Sequence, residues 1–223
     1  MSFQVKTAFG FLMFCVFLSF ACQTNFKTPL QRNLSESGKT FEKPKLSEIE
    51  SEPIKKLLES AVRQTNLTKN YDPAYKTIAY PNGDVPIETG VCSDVVIRAF
   101  RNADIDLQKE IHKDMSENFA AYPKKWNLKS PDTNIDHRRV PNLETFFTRR
   151  GKSLPVTRNP EDYKPGDVVS WDLNGKGMTH TGIVSNIFDE NTRRYLIIHN
   201  IGAGAQAEDV VFNWKITGHF RYF

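Results

Sequence analysis

One thiol and two imidazoles stand in an order that suits acyl-transfer chemistry. Cys92 lies in Gly90-Val91-Cys92-Ser93-Asp94, just before a stretch in which Val95, Ile97, Ala99 and Phe100 are apolar. That pattern predicts a buried helix starting at or near Cys92. A thiol is a strong nucleophile as its thiolate, and the unpaired N–H groups of a helix N-terminus favour the anion. The same groups, with the Cys92 backbone, can form an oxyanion hole. His180 and His199 each stand at the end of a predicted strand. One imidazole can take the thiol proton and return it to a leaving amine, while the other holds the first ring in the right tautomer.

Cysteine usage sharpens this reading. The chain has three cysteines. Cys15 lies within Thr7 to Ala21, an uncharged apolar run that follows Lys6 and is too short for a comfortable permanent membrane span. It has the length of a signal h-region and ends in Ser19-Phe20-Ala21, small-x-small, before Cys22. A cysteine directly after such a site is the signature of lipoprotein processing. Simple secretion and an uncleaved anchor are the other two outcomes, and all three place the domain outside the cytoplasm. With Cys22 carrying lipid, Cys92 is the sole thiol left in an oxidising compartment, where a disulfide framework is excluded. Without lipid, a Cys22–Cys92 disulfide or an inert buried Cys92 are the structural alternatives.

The elements that must position these groups come from the pattern along the chain. Residues 1–21 read as the signal, residues 22–50 as a polar, flexible tether and residues 51–223 as one domain. A helix is predicted over 53–68, with Ile54, Leu57, Leu58, Ala61 and Val62 on one face. A loop over 71–90 is punctuated by prolines. Further helices are predicted over 107–122 and 142–150. The last third reads as strands: 168–171 after the turn Pro165-Gly166-Asp167, then 180–184 and 195–199. Val210-Val211-Phe212 and 216–222 are candidates for two more. Helices first and antiparallel strands later make an α+β domain, its N-terminal helices packed on a C-terminal sheet.

The order Cys at a helix start, Pro-Gly-Asp before a strand, His-x-Gly-Ile-Val and a strand ending in His resembles the NlpC-type cell-wall cysteine peptidases, which are papain-like. The resemblance implies Cys92 as nucleophile, His180 as general base and a later polar residue, His199 or Asn200, that orients the base. Longer words are similar to the bacterial domain-of-unknown-function family 1287: Tyr71-Asp72-Pro73, Tyr80-Pro81-Asn82-Gly83-Asp84, Gly90 to Asp94, Asn134 to Asn142 and His199 to Gly204. Typical NlpC-type sites carry Asp directly before the Cys, where this chain has Val91. Papain-like enzymes use an upstream polar side chain in the oxyanion hole, which makes Tyr80 and Asn82 candidates.

Other polar residues carry two readings each. Asp94 either caps the helix or contacts substrate. Asp136, His137 and Arg138 form either a loop network of carboxylate and guanidinium or a subsite for a substrate carboxylate or sugar. No close-spaced ligand pair supports a metal, so neither metal nor cofactor is expected. Gly202-Ala203-Gly204 precedes strand-like residues and reads as a turn near the site rather than a nucleotide loop.

The net charge of +4 comes without a Lys/Arg stripe, so nucleic acid is not an expected partner. The resemblance implies an exported envelope hydrolase, periplasmic and, with Cys22 lipidated, membrane-anchored, acting on peptidoglycan or its fragments. The bond is either within the stem peptide or between N-acetylmuramic acid and L-alanine. A non-catalytic wall-binding module and a papain-like acyl or lipid hydrolase are the competing classes. Oligomeric state is not legible.

Overall fold

Apolar residues recur every three to four positions in the helices of the first half and run consecutively in the main strands of the last third, whose two faces are both covered. The computed structural model describes residue 49 and residues 51–223. These belong to the second of two units, Met1–Lys39 and Thr40–Phe223. The predicted signal, Cys22 and nearly all of the tether lie outside the described residues.

Helix α1 (Glu52–Leu67) starts with Pro53 in its first turn, where a missing N–H costs nothing, and buries Leu57, Leu58 and Ala61. Two short strands, β1 (Asn70–Tyr71) and β2 (Thr89–Gly90), pair in parallel. Helix α2 (Cys92–Asn102) comes next, and its residues from Cys92 to Phe100 are all buried. Helix α3 (Leu107–Asn118) is capped by the Asp106 side chain, which accepts the Gln108 N–H. Helix α4 is Val140–Arg149.

Five antiparallel strands complete the domain: β3 (Val168–Asp172), β4 (Thr179–Asp189), β5 (Arg194–Asn200), β6 (Ala205–Glu208) and β7 (Lys215–Phe220), in the order β6-β5-β4-β3-β7. Neighbouring strand residues point to opposite faces. Val168, Ile183, Ile198 and Phe220 face the helices and meet Leu57, Val95, Val96, Phe100, Phe146 and Phe147. Val169, Trp171, Val184 and Ile197 face the other way and pack with Tyr163, Val210 and Val211. Each such large apolar side chain contributes about 1.5–3 kcal/mol on burial.

Two strand expectations need correction. Val210-Val211-Phe212 is a turn, not a strand. Its valines are apolar because they cover Trp171, whose Nε1–H donates to the Val211 carbonyl at 2.9 Å. The fifth strand is instead Ala205–Glu208, a small and polar segment with no strand-like composition.

α1 is tied to α2 by more than apolar packing. Gln64 donates through Nε2 to the Val95 carbonyl (3.0 Å), and Ser60 donates to the Arg98 carbonyl (3.2 Å). Arg98 is buried and spends its guanidinium on the segment leading to β2: the Asp84 carboxylate, the Thr68 hydroxyl and the carbonyls of Val85, Pro86 and Thr89. One cation thereby gathers the loop that delivers Gly90 and Cys92.

Candidate active site

Cys92 is the first residue of α2. The local sequence produces that start. Val91 is extended, and the Asp94 carboxylate accepts the Val91 N–H at 2.7 Å, closing the first turn. Asp94 also holds the Arg138 guanidinium in a two-pronged ion pair, 2.8 and 2.9 Å, with both side chains buried. Ser93 donates to the Arg138 carbonyl at 2.6 Å. Gly90 sits at φ 157, where a Cβ would come within 3.1 Å of the Asp94 carboxylate, so the close approach of cap and strand needs glycine.

Cys92 is only 6% exposed. The backbone N–H groups of Thr181, Ser93 and Cys92 lie close enough to the sulfur to favour its anion. The expectation that a helix N-terminus lowers its pKa does not hold. Burial pushes the Cys92 thiol up to about 11, the nearby Asp94 charge adds to the rise, and the three N–H groups only partly oppose it. The resting group is a neutral thiol.

Thr181, whose N–H lies near the sulfur, comes directly after His180 on β4. His180 and His199 are brought together by the β4–β5 pairing. His180 Nε2 and His199 Nδ1 are 2.9 Å apart, with the rings edge to face. Gly182 makes this approach possible, because a Cβ there would stand 2.6 Å from Ile197 Cγ2 and 3.0 Å from His199 Cβ. Trp171 lies tilted against His180 at 5.8 Å between centroids, and Trp214 flanks both imidazoles at 5.9 and 6.3 Å. Burial and then the neighbouring His199 hold the His180 imidazole down at about 3, so it too is neutral. With Nε2 engaged by His199, Nδ1 is the His180 ring nitrogen that His199 leaves free.

Asn200, the other residue considered for the orienting role, does something different. Its amide donates to the Asn70 and Gly90 carbonyls at 3.2 and 3.0 Å, fastening the end of β5 to β1 and β2 beside Cys92. Tyr80 and Asn82 are not at this end of the molecule. Asn82 N–H donates to Asp106 at the start of α3, Tyr80 packs edge-on against His112, and Asn82 shares a cavity with Arg101. Arg101 is nine residues beyond Cys92, which along a helix is about 13 Å. The tyrosine near the thiol is Tyr71 of β1. Its phenol is pushed above the ordinary value by partial burial and then by the ionisable Cys92 and Asp94 beside it. In the sequence it stands in the Tyr-Asp-Pro word, with nothing local to mark a role.

Asp136, His137 and Arg138 form a buried 3-10 turn. Asp136 accepts the Asp132 N–H and pairs with Arg139 at 3.0 Å. Arg138 is committed to Asp94, and burial holds His137 neutral, at about 3. Asp136 and Arg138 are engaged within the protein and His137 is buried, and the same ion pair makes Asp94 a cap and anchor rather than a group free for substrate. Asp167 of Pro-Gly-Asp is a second buried anchor, receiving His219 at 2.8 Å and Arg221 at 2.7 Å from the end of β7.

Two further features were not legible in the sequence. Glu208 Oε2 on β6 lies 3.0 Å from His199 Nε2. Beyond Trp214, a groove of about 470 Å³ is lined by Arg158, Phe212, Trp214 and Lys215 among others, and its lining includes no carboxylate. Arg158 and Arg194 lie over the Phe212 ring at 5.8 and 5.7 Å.

Residues 58–222 match the family model of the domain of unknown function DUF1287. The uncharacterized protein YijF of Escherichia coli (strain K12) is 55% identical over 180 residues, covering 81% of this chain and 87% of that one. Two solved structures are more distantly similar. NlpC1 from Trichomonas vaginalis has a TM-score of 0.42 and 11% identity over 78% of this chain, which spans 45% of that one. An N-acetylmuramoyl-L-alanine amidase from Bacteroides uniformis ATCC 8492 has a TM-score of 0.43 and 14% identity, with 76% and 98% of the two chains covered.

Proposed function

The chain belongs to the DUF1287 family, and we propose that it is an exported cysteine hydrolase that cleaves amide bonds in peptidoglycan, with Cys92 as nucleophile, His180 as base and His199 as the residue that orients it. The observation that carries this reading is the 2.9 Å His180–His199 contact on the strand whose next residue, Thr181, has its N–H close enough to the Cys92 sulfur to favour the anion.

The chemistry starts from two neutral groups. Cys92 Sγ attacks the substrate carbonyl carbon as His180 Nδ1 takes the thiol proton. The early N–H groups of α2 face the developing oxyanion, with the Tyr71 hydroxyl in electrostatic reach. The C–N bond breaks, and His180 delivers its proton to the leaving amine. Water then attacks the thioester as His180 accepts a proton, the S–C bond breaks, and that proton returns to sulfur. His199 holds the ring through both half-reactions. Trp171 and Trp214 wall the pair and exclude water from it.

The groove beyond Trp214 supports a substrate that is both acidic and carbohydrate-bearing. Aromatic faces stack on sugar rings, and Arg158 and Lys215 suit carboxylates. Peptidoglycan stem peptides and muramic acid supply both. Export rests on the apolar run ending at Ala21, and anchorage on Cys22 next to it. Purified sacculi incubated with the protein, and then mass spectrometry of the soluble products, test the reading. New fragments whose masses name one amide bond support it, and an intact sacculus with folded protein overturns it.

A further inference from the structure

We propose that Glu208 is a positioning residue that fixes the tautomer of His199, so that His180 presents an unprotonated Nδ1. The inference deepens the function proposed above and rests on His180 acting as base, but the tautomer itself is measurable without turnover.

Proton counting leaves two arrangements. His180 Nε2 and His199 Nδ1 face each other at 2.9 Å, and whenever both rings are uncharged that contact holds a single proton. If the proton sits on His199 Nδ1, His180 Nε2 is the acceptor, and the proton of the His180 ring is on Nδ1. That ring then cannot take a proton from the thiol. If the shared proton sits on His180 Nε2, Nδ1 carries the lone pair that the reaction needs. The His199 proton must then be on Nε2.

Only an acceptor at His199 Nε2 favours the second arrangement, and the group placed there is a carboxylate. Glu208 Oε2 lies 3.0 Å away, and the His199 side chain is fully buried. The oxygen stands off the axis of the ring N–H, which leaves Nε2 without an in-line partner. The Glu208 side chain is 20% exposed, against full burial of His199, and its carboxylate is the acceptor nearest to that nitrogen in the ion pair. A carboxylate accepts and cannot donate, so its presence selects the Nε2–H form. The register explains how it arrives: Glu208 stands opposite Ile197 in the β5–β6 pairing, diagonal to His199 on the same face.

The test is the nitrogen-15 spectrum of the imidazole rings in the labelled full-length chain, in which two-bond couplings distinguish the tautomers. Wild type should show Nε2–H on both His180 and His199. Glu208→Met, similar in volume and unable to accept, should move the His199 proton to Nδ1 in a substantial fraction of molecules and lower kcat roughly tenfold or more at nearly constant KM. Glu208→Gln keeps a carbonyl acceptor and should retain the wild-type tautomer. A wild-type spectrum with His199 protonated on Nδ1 overturns the proposal even if no variant folds. An unchanged His199 tautomer in Glu208→Met overturns it as well. A tautomer shift in a protein that cuts no peptidoglycan would support the role of Glu208 while overturning the hydrolase reading.

Discussion

His180 Nε2 and His199 Nδ1 meet at 2.9 Å across β4 and β5, and the side chain that would block the meeting is missing because residue 182 is glycine. The contact fixes which His180 nitrogen His199 leaves unengaged. It also separates His199, which touches His180, from Asn200, which holds β1 and β2.

Replacing His199 should therefore act on the chemical step. His199→Ala is expected to lower kcat roughly 100- to 10,000-fold, the range seen when an orienting partner of a catalytic imidazole is lost, while KM stays within a few fold. Asn200→Ala should instead lower thermal stability and spare more of kcat. Steady-state kinetics and thermal melts on both variants distinguish the two roles.

The neutral resting pair sets the pH behaviour. His180 is held at about 3 and Cys92 at about 11, so alkylation of the free thiol should keep rising through pH 9 instead of levelling at an ordinary thiol value. Stability has a definite sign too. In the unfolded chain His180 and His137 bind protons near 6.5, whereas folded they do so only near 3. The unfolded state thus binds more protons between those values. The stability these buried rings contribute is complete above 6.5 and lost as pH falls towards 3, on the order of a few kcal/mol for each. Chemical denaturation between pH 8 and pH 4 should show this fall, and His137→Asn should reduce its size.

Asp94 and Arg138 are a buried pair, and breaking one side strands the other. Asp94→Asn or Arg138→Met should each cost about 3–5 kcal/mol in urea denaturation. The double variant should be less damaged than the sum of the two. Strict additivity would mean that the residues do not act as a pair.

The groove gives a binding prediction. Arg158→Ala with Lys215→Ala should raise KM for acidic muropeptides about tenfold and leave kcat nearly unchanged, since both cations lie beyond Trp214. Added salt should weaken wild type more than the variant.

Much of the fold is legible in the amino-acid order, and the reasons are local. The helix after Cys92, the turn at Pro-Gly-Asp and the strands carrying His180 and His199 each announce themselves within a few residues. What could not be read depends on distant partners. Arg138 meets Asp94 across 44 positions, so a dense polar word looks equally like a substrate site. Tyr71 rather than Tyr80 neighbours the thiol because β1 pairs with β2, two strands of two residues each. Glu208 is hidden in Ala205–Glu208, where nothing is β-branched, while Val210 and Val211 imitate a strand by covering Trp171. The thiol's raised pKa reflects complete burial, which a helix-start pattern does not reveal.

At the centre of the proposed function is a covalent bond between Cys92 and the acyl part of the substrate. Mixing the protein with muropeptides, quenching in acid within the first turnover and measuring intact and peptide masses tests it most directly. The predicted result is an added mass equal to the acyl fragment on the peptide containing Cys92, lost on further incubation and absent from Cys92→Ala. Hydrolysis by Cys92→Ala at the wild-type rate, or turnover in which the acyl fragment is found on another residue, would contradict it.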